Sequence, residues 1–192
     1  MSMPWYKIAE GSTITQGDII VNCPVASWSE SPLTVALDVS PEEILRTSVE
    51  FIQIDTVVMT QACDLEQGKV RYVILCPHYA IEDYKIQWEY ALRERMQNPT
   101  EKSWQTFVED VRQGKIWNLS MLNAYEGSLL DMDIRVVDFH EVFSLPRSFL
   151  ESWLRHQGKR IRLQPPYREH LSQAFARFFM RVGLPIDIPR FR

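Results

Sequence analysis

The chain contains little cysteine and glycine, and it lacks any long run of apolar residues. Three cysteines in 192 residues favour free thiols in a reducing cytoplasm. No apolar run reaches the ~18 residues that a membrane-spanning helix needs. The first residues, MSMPWYKIAEG, lack the apolar centre of a signal peptide, so we predict a cytoplasmic chain without a processed leader.

The overall charge of −4 conceals an asymmetry along the chain. Residues 1–146 carry 11 Lys/Arg and 22 Asp/Glu, whereas residues 147–192 carry 10 Lys/Arg and 3 Asp/Glu. A basic C-terminal part could bind nucleic acid, or it could pack on the acidic body of the same molecule. The second arrangement is favoured, because the chain as a whole would repel a polyanion.

Several segments have the composition of β-strands. The segment 15–25 is β-branched and follows a Gly-Asp turn, while segments 49–61 and 69–77 are apolar on both faces and should be central in a sheet. The loop 62–68 would join the last two as a hairpin. Further strands are predicted at 133–139 and 159–166.

Helical spacing predominates elsewhere. Residues 82–113 predict a hairpin of two helices. The second helix would begin at NPTE, with Asn98 as its cap, and would end at Gly114. SPEEIL predicts a helix capped by Ser40. Helices at 146–158 and 167–182 complete the chain.

These elements predict an α+β fold in one domain, residues 1–192. The sheet would be small, bent and antiparallel, or closed into an SH3-like barrel. Residues 82–114 form a helical insertion, and residues 146–185 form a helical C-terminal part.

The stretch TQACDLEQGK places Cys63 beside Asp64 at the end of a predicted strand. A nucleophilic Cys63 would need nearby positive charge, and Asp64 has the opposite effect. His78 or His140 could still approach it in space. A structural thiol in a turn is the preferred interpretation, and Asp64 would then accept backbone N–H bonds.

A zinc site is the other chemical alternative for the cysteines. Cys23, Cys63 and Cys76 each lie at or near a predicted strand end, and His78 follows Cys76 by two residues. Four such ligands could hold zinc if the strand ends cluster. No pair has CxxC spacing, and cysteine is often simply buried, so we predict no metal and no other cofactor.

The segment PYREHLSQAFARFFMRVGLP predicts an amphipathic helix. Its apolar arc contains Tyr167, Leu171, Ala174, Phe175, Phe178, Phe179 and Val182. His170, Arg177 and Arg181 share one edge of that arc and form a candidate binding edge for phosphate or carboxylate. Alternatively, these side chains pair with acidic residues such as Glu42, Glu43 or Asp131.

VVMTQACDLEQGKV together with the C-terminal RVGLP segment resembles an uncharacterised bacterial family with a strand–TQ-x-CDL motif. That resemblance implies no activity. More remotely, GDIIVNCPV followed by DTVVMTQACDLEQGKVRYVILCP is similar to the MazF/PemK toxins, which are RNA-cleaving dimers with an SH3-like barrel. The chain has Asp55-Thr56 and Cys76-Pro77 where those toxins have Arg-Pro and Thr-Ser.

No convincing set of catalytic groups is apparent in the sequence. We therefore predict a non-catalytic interaction or regulatory module of a bacterial cytoplasmic system. Its partner would be a protein, or a nucleic acid bound by the basic C-terminal part. The alternatives are a MazF/PemK-like endoribonuclease toxin and a Cys- or zinc-dependent enzyme at Cys63.

Overall fold

The computed structural model describes residues 3–29, 40–127 and 129–180. The described residues contain eight strands and six helices. In chain order these are β1 (Tyr6–Ala9), β2 (Ile19–Trp28), α1 (Pro41–Ser48), β3 (Val49–Val58), α2 (Ala62–Glu66), β4 (Tyr72–Ala80), α3 (Ile81–Glu94), α4 (Glu101–Arg112), β5 (Leu119–Leu122), β6 (Arg135–Asp138), β7 (Phe143–Pro146), α5 (Arg147–Gln157), β8 (Arg160–Leu163) and α6 (Tyr167–Phe179).

The main sheet has six antiparallel strands, five of them in the order β2-β3-β4-β6-β5 and the sixth, β7, beside β4. Strand β7 pairs with the first half of β4, and β6 pairs with its last residues. Strands β1 and β8 form a separate antiparallel pair. The predicted α+β class is therefore confirmed, with the helical hairpin inserted as α3 and α4 and the C-terminal helices as α5 and α6.

The SH3-like barrel alternative is wrong, because the sheet is open. Strands β2 and β5 stand at its two ends, and no ladder joins one to the other in the described part of the chain. Around Val57, Val58 and Cys76 both faces of the sheet are instead covered by other elements, whereas the first half of β3 is exposed or half-buried. Closure depends on how distant strands meet, and local sequence patterns carry little information about that.

The central strands bury side chains on both faces, as their continuous apolar runs predict. Val57 and Cys76 lie in one core cluster, together with Leu171 of α6. Val58 lies in a second cluster, together with Leu150 of α5. Since neighbouring residues of a strand face opposite sides, α6 and α5 cover opposite faces of the sheet.

The helix starts follow their local capping chemistry. The Ser40 side chain accepts a hydrogen bond from Glu43 N at 3.2 Å, so the predicted cap of α1 is confirmed. The predicted cap of α4 is wrong. Thr100, rather than Asn98, caps this helix in a reciprocal capping box with Ser103. None of the helices described is long and apolar enough to cross a membrane.

A buried ion cluster joins β8 to the start of β2. Asp18 is fully buried, and its Oδ2 lies 2.9 Å from Arg160 Nη2 and 3.0 Å from Arg162 Nη2. The same oxygen accepts a hydrogen bond from Thr15 N at 3.1 Å. Arg160 is only 4% exposed and also donates to Gly11 O at 2.8 Å. The Gly-Asp turn of the sequence thus supplies the counter-charge for two arginines.

Candidate functional site

Cys63 and Asp64 lie on the five-residue helix α2, which replaces the predicted loop between β3 and β4. Cys63 is exposed, and its Sγ lies 3.7 Å from Gln61 Oε1 and 3.9 Å from Asp64 Oδ1. Neither contact supplies the positive charge that stabilises a thiolate. The main-chain carbonyl of Asp64, rather than its side chain, accepts a hydrogen bond from Lys69 N at 3.0 Å.

The four residues considered for zinc are placed apart in the fold. Cys23 is buried in the cluster beneath α5, whereas Cys76 is buried in the cluster beneath α6. Cys63 is on the surface. Within the described ranges, no group of three or more His, Cys, Asp or Glu side chains has the arrangement of a metal site.

The two buried thiols, Cys23 and Cys76, have raised pKa values. Burial raises the pKa of Cys23 to about 11 and that of Cys76 to about 12. The nearby Asp138 carboxylate adds to the increase at Cys76. Both cysteines are therefore protonated core residues at neutral pH.

His78, the fourth residue considered for zinc, is also buried. It is 2% exposed, and neither ring nitrogen has a hydrogen-bond partner among the described residues. Burial, with a smaller contribution from the positive charge of Arg135, lowers the pKa of His78 to about 3. The imidazole is thus neutral over the physiological range.

The C-terminal helix follows most of its predicted apolar arc. Leu171 is 4% exposed, while Phe175 and Phe178 are partly buried and pack against the same core cluster. Phe179 was placed in the apolar arc, but this was wrong, because it is 60% exposed near the end of the described helix. Val182 lies outside the described residues.

Two of the three basic residues predicted for one edge of this helix line a common groove. His170 and Arg177 are both exposed and contribute to the same cavity, while Arg181 lies outside the described residues. The groove, called here the α6 groove, has a volume of about 510 Å³. Its lining residues are Trp5, Val111, Arg112, Gln113, Gly114, Leu119, Ser120, Met121, His170, Gln173, Ala174 and Arg177.

Three elements form the walls of the α6 groove. Helix α6 supplies one wall, while the end of α4 and strand β5 supply the other. The N-terminal Trp5 also lines it, with its ring stacked on Tyr167 at 3.9 Å between centroids and 12° between planes. A smaller depression, which shares Ala174 and Arg177 with the groove, extends to Trp117.

The described lining of the α6 groove contains three basic side chains and no carboxylate. Arg112 is already paired, since its Nη2 lies 2.6 Å from Glu109 Oε1. Hydrogen bonds from Arg112 and Gln113 lower the pKa of Glu109 to about 2, so this counter-charge persists at neutral pH. The guanidinium carbon of Arg177 lies 5.5 Å from the centroid of the Trp117 ring.

His170 and Arg177 were given an alternative role as ion-pair partners of Glu42, Glu43 or Asp131. Neither side chain forms an ion pair with a carboxylate in the described part of the chain. The positive charge of Arg177 is therefore available to a bound group. The α6 groove thus differs in charge from the chain as a whole, which has a net charge of −4.

The sequence could have indicated part of the groove but not all of it. Gln173 and Ala174 lie three and four residues after His170, and helical spacing places them on the same side as Arg177. Trp5 and Arg112 come from distant parts of the chain. Only the packing of α4 and the N-terminal segment against α6 brings them there.

Comparison of the chain with protein families, curated proteins and solved structures yields no match.

Proposed function

We propose that the chain is a non-catalytic binding module of a bacterial cytoplasmic system, and that the α6 groove binds an acidic segment of a partner protein. One observation carries this proposal. In a chain of net charge −4, the described lining of the groove contains no carboxylate, and it includes His170 and Arg177, which have no described ion-pair partner. Charge complementarity of this kind steers association and selects partners.

The aromatic residues near the groove support a peptide over a single-stranded nucleic acid. Binding of single strands uses exposed aromatic faces on which successive bases stack. Here Trp5 is stacked on Tyr167, and Arg177 covers the ring of Trp117. A long polyanion would also meet the acidic body of the chain.

The polar groups of the groove support binding without catalysis. Ser120 and His170 both line it, but no hydrogen bond joins them, and no described carboxylate in the lining could orient the imidazole. Nucleophilic catalysis requires a base in contact with the nucleophile and a third group that holds the base. The lining amides and arginines suit recognition of carboxylates instead.

Fluorescence anisotropy with a fluorescein-labelled octaglutamate peptide tests this proposal. The double variant His170→Gln/Arg177→Gln removes the two basic side chains that have no described ion-pair partner. We expect its affinity to be about five- to thirtyfold lower, since two contacts with the peptide carboxylates of about 0.5–1 kcal/mol each are lost. Binding to the wild-type chain should weaken as salt is added.

A matched control exists on α5, where Arg155 and His156 are exposed neighbours that do not line the groove. The variant Arg155→Gln/His156→Gln changes the same residue types and the same formal charge. It should retain the wild-type affinity. An equal loss in both double variants would mean that the peptide responds only to net charge, and the groove would have to be abandoned as the site.

An oligouridylate with the same charge as the octaglutamate peptide provides a comparison. If it binds more tightly than the peptide and its binding depends equally on Arg177, the partner would be RNA and not a protein.

A further inference from the structure

A second cavity, of about 370 Å³, lies on the side of the molecule where α2 ends and where α5 and α6 begin. It is called here the arginine cavity. Its lining residues are Lys7, Thr13, Ile14, Thr15, Leu65, Glu66, Arg147, Arg162, Leu163, Pro165 and Arg168. Four of these side chains are basic and one is acidic, and the remaining polar ones are threonines. Arg147, Arg162 and Arg168 each pair with a carboxylate outside the lining, so an anion would be bound by their remaining N–H groups and by Lys7 rather than by a large excess of positive charge.

The TQ-x-CDL motif helps to hold the first arginine. Leu65 is 1% exposed and anchors α2 in the core, while its carbonyl oxygen accepts a hydrogen bond from Arg147 Nη1 at 2.8 Å. Arg147 Nε bonds to Glu151 Oε1 at 2.7 Å. These two contacts fix the guanidinium without using Nη2.

Arg168 is held in a similar way at the start of α6. Its Nε lies 3.0 Å from Glu169 Oε1, and Nη2 bonds to the same oxygen. A Cβ at Gly17 would lie 3.2 Å from Arg168 Cγ and 3.0 Å from Leu163 Cβ. The absence of a side chain at Gly17, which has a positive φ of 82°, allows the stem of Arg168 to lie against the backbone.

The third arginine belongs to the buried ion cluster. Arg162 bonds to Asp18 through Nε and Nη2, and Nη2 also donates to Thr13 O at 3.0 Å. Its side chain is 17% exposed, against 28% for Arg147 and 27% for Arg168. All three guanidinium groups are thus partly buried and fixed from one side.

Each of these arginines keeps one terminal nitrogen without a hydrogen-bond acceptor among the described residues: Nη2 of Arg147, Nη1 of Arg162 and Nη1 of Arg168. Lys7 forms no ion pair with a described carboxylate. Guanidinium groups fixed in advance lose less entropy on binding an anion and match the oxygens of phosphate.

We propose that the arginine cavity binds a small molecule that carries a phosphate monoester and an apolar group. The basic side chains would hold the phosphate oxygens. Pro165, with small contributions from the largely buried Ile14 and Leu163, supplies an apolar wall for the rest of the ligand. This site is separate from the α6 groove and shares none of its lining residues.

Isothermal titration calorimetry with phenyl phosphate, inorganic phosphate, benzoate and phenol tests this assignment. Phenyl phosphate should bind saturably at one site per chain. Its affinity should exceed that of inorganic phosphate, which lacks the apolar group, and that of benzoate, which has a single negative charge. Phenol should not bind. Failure of phenyl phosphate to saturate below about 10 mM, or equal affinity for benzoate, would overturn the assignment.

The double variant Lys7→Gln/Arg168→Gln should bind phenyl phosphate at least about tenfold more weakly. Lys102→Gln/Arg93→Gln on the helical hairpin is the matched control. Arg93 pairs with a helix neighbour as Arg168 does, and Lys102 forms no described ion pair. The control should bind as the wild type does.

If the double variant does not fold, the single variant Lys7→Gln provides the test, because it alters only an exposed side chain. We expect its affinity for phenyl phosphate to be about threefold lower than that of the wild type. The site would be refuted if the single variants Lys7→Gln and Arg168→Gln both fold and both bind phenyl phosphate with wild-type affinity.

Discussion

Replacing Asp18 by Asn should lower the free energy of unfolding by about 3–5 kcal/mol. The carboxylate is fully buried, and it neutralises Arg160, which is 4% exposed, and Arg162. Asparagine keeps the size of the side chain but leaves a buried guanidinium without a counter-charge. Urea denaturation at pH 7.5 measures the change.

The exposed pair of Glu10 and Lys159 provides the control for this variant. Their side chains are 63% and 58% exposed, with Nζ 3.0 Å from Oε1. Glu10→Gln should therefore cost less than about 1 kcal/mol, because solvent screens such a pair. A loss below about 1 kcal/mol for Asp18→Asn as well would show that the buried cluster does not hold β8 against β2.

His78→Leu should remove a large part of the acid sensitivity of the fold. The pKa of His78 is about 3 in the folded chain, compared with 6.5 as its ordinary value. Between these pH values the unfolded state binds a proton that the folded state does not. The stability of the wild-type chain should thus fall as the pH decreases from 6.5 towards 3, by up to about 1.4 kcal/mol per pH unit.

Leucine has no titrating group, so the variant should lack this part of the pH dependence. At pH 7.5 it should be as stable as the wild type or more so, because two ring nitrogens buried without partners are removed. Urea denaturation at pH 7.5, 6.0 and 5.0 gives the comparison. His156→Gln, at an exposed position, should retain the wild-type profile. Parallel losses in the wild type and His78→Leu would refute the prediction.

Local patterns predicted the longer elements well. These patterns depend only on residues that are near each other in the chain. They include the apolar runs of β3 and β4, the helical hairpin α3–α4, and the capping of α1 by Ser40. The four-residue strands β1, β5 and β7 were missed, because so short a segment carries little sequence signal, whereas the equally short β6 and β8 were predicted as parts of the longer segments 133–139 and 159–166. Helix α2 was taken for a loop, since its five residues include Cys63 and Asp64, which favour helices weakly.

The candidate sites were less predictable than the elements that form them. A spacing of seven residues placed His170 and Arg177 on one side of α6, and both side chains line the α6 groove. Nothing local could indicate that Arg112 lies opposite them, or that Arg147 and Arg162 share a cavity. Such neighbours are determined by tertiary packing, and the choice between an open sheet and a barrel has the same origin.

The most direct test of the central proposal is to locate the bound acidic peptide on the folded chain. Titration of isotope-labelled protein with octaglutamate, followed through its backbone amide NMR signals, reports the contacted residues. The proposal predicts saturable shifts confined to Trp5 and to residues 111–121 and 170–177, which border the α6 groove. Shifts concentrated elsewhere, for example on α5 or around the arginine cavity, would contradict it.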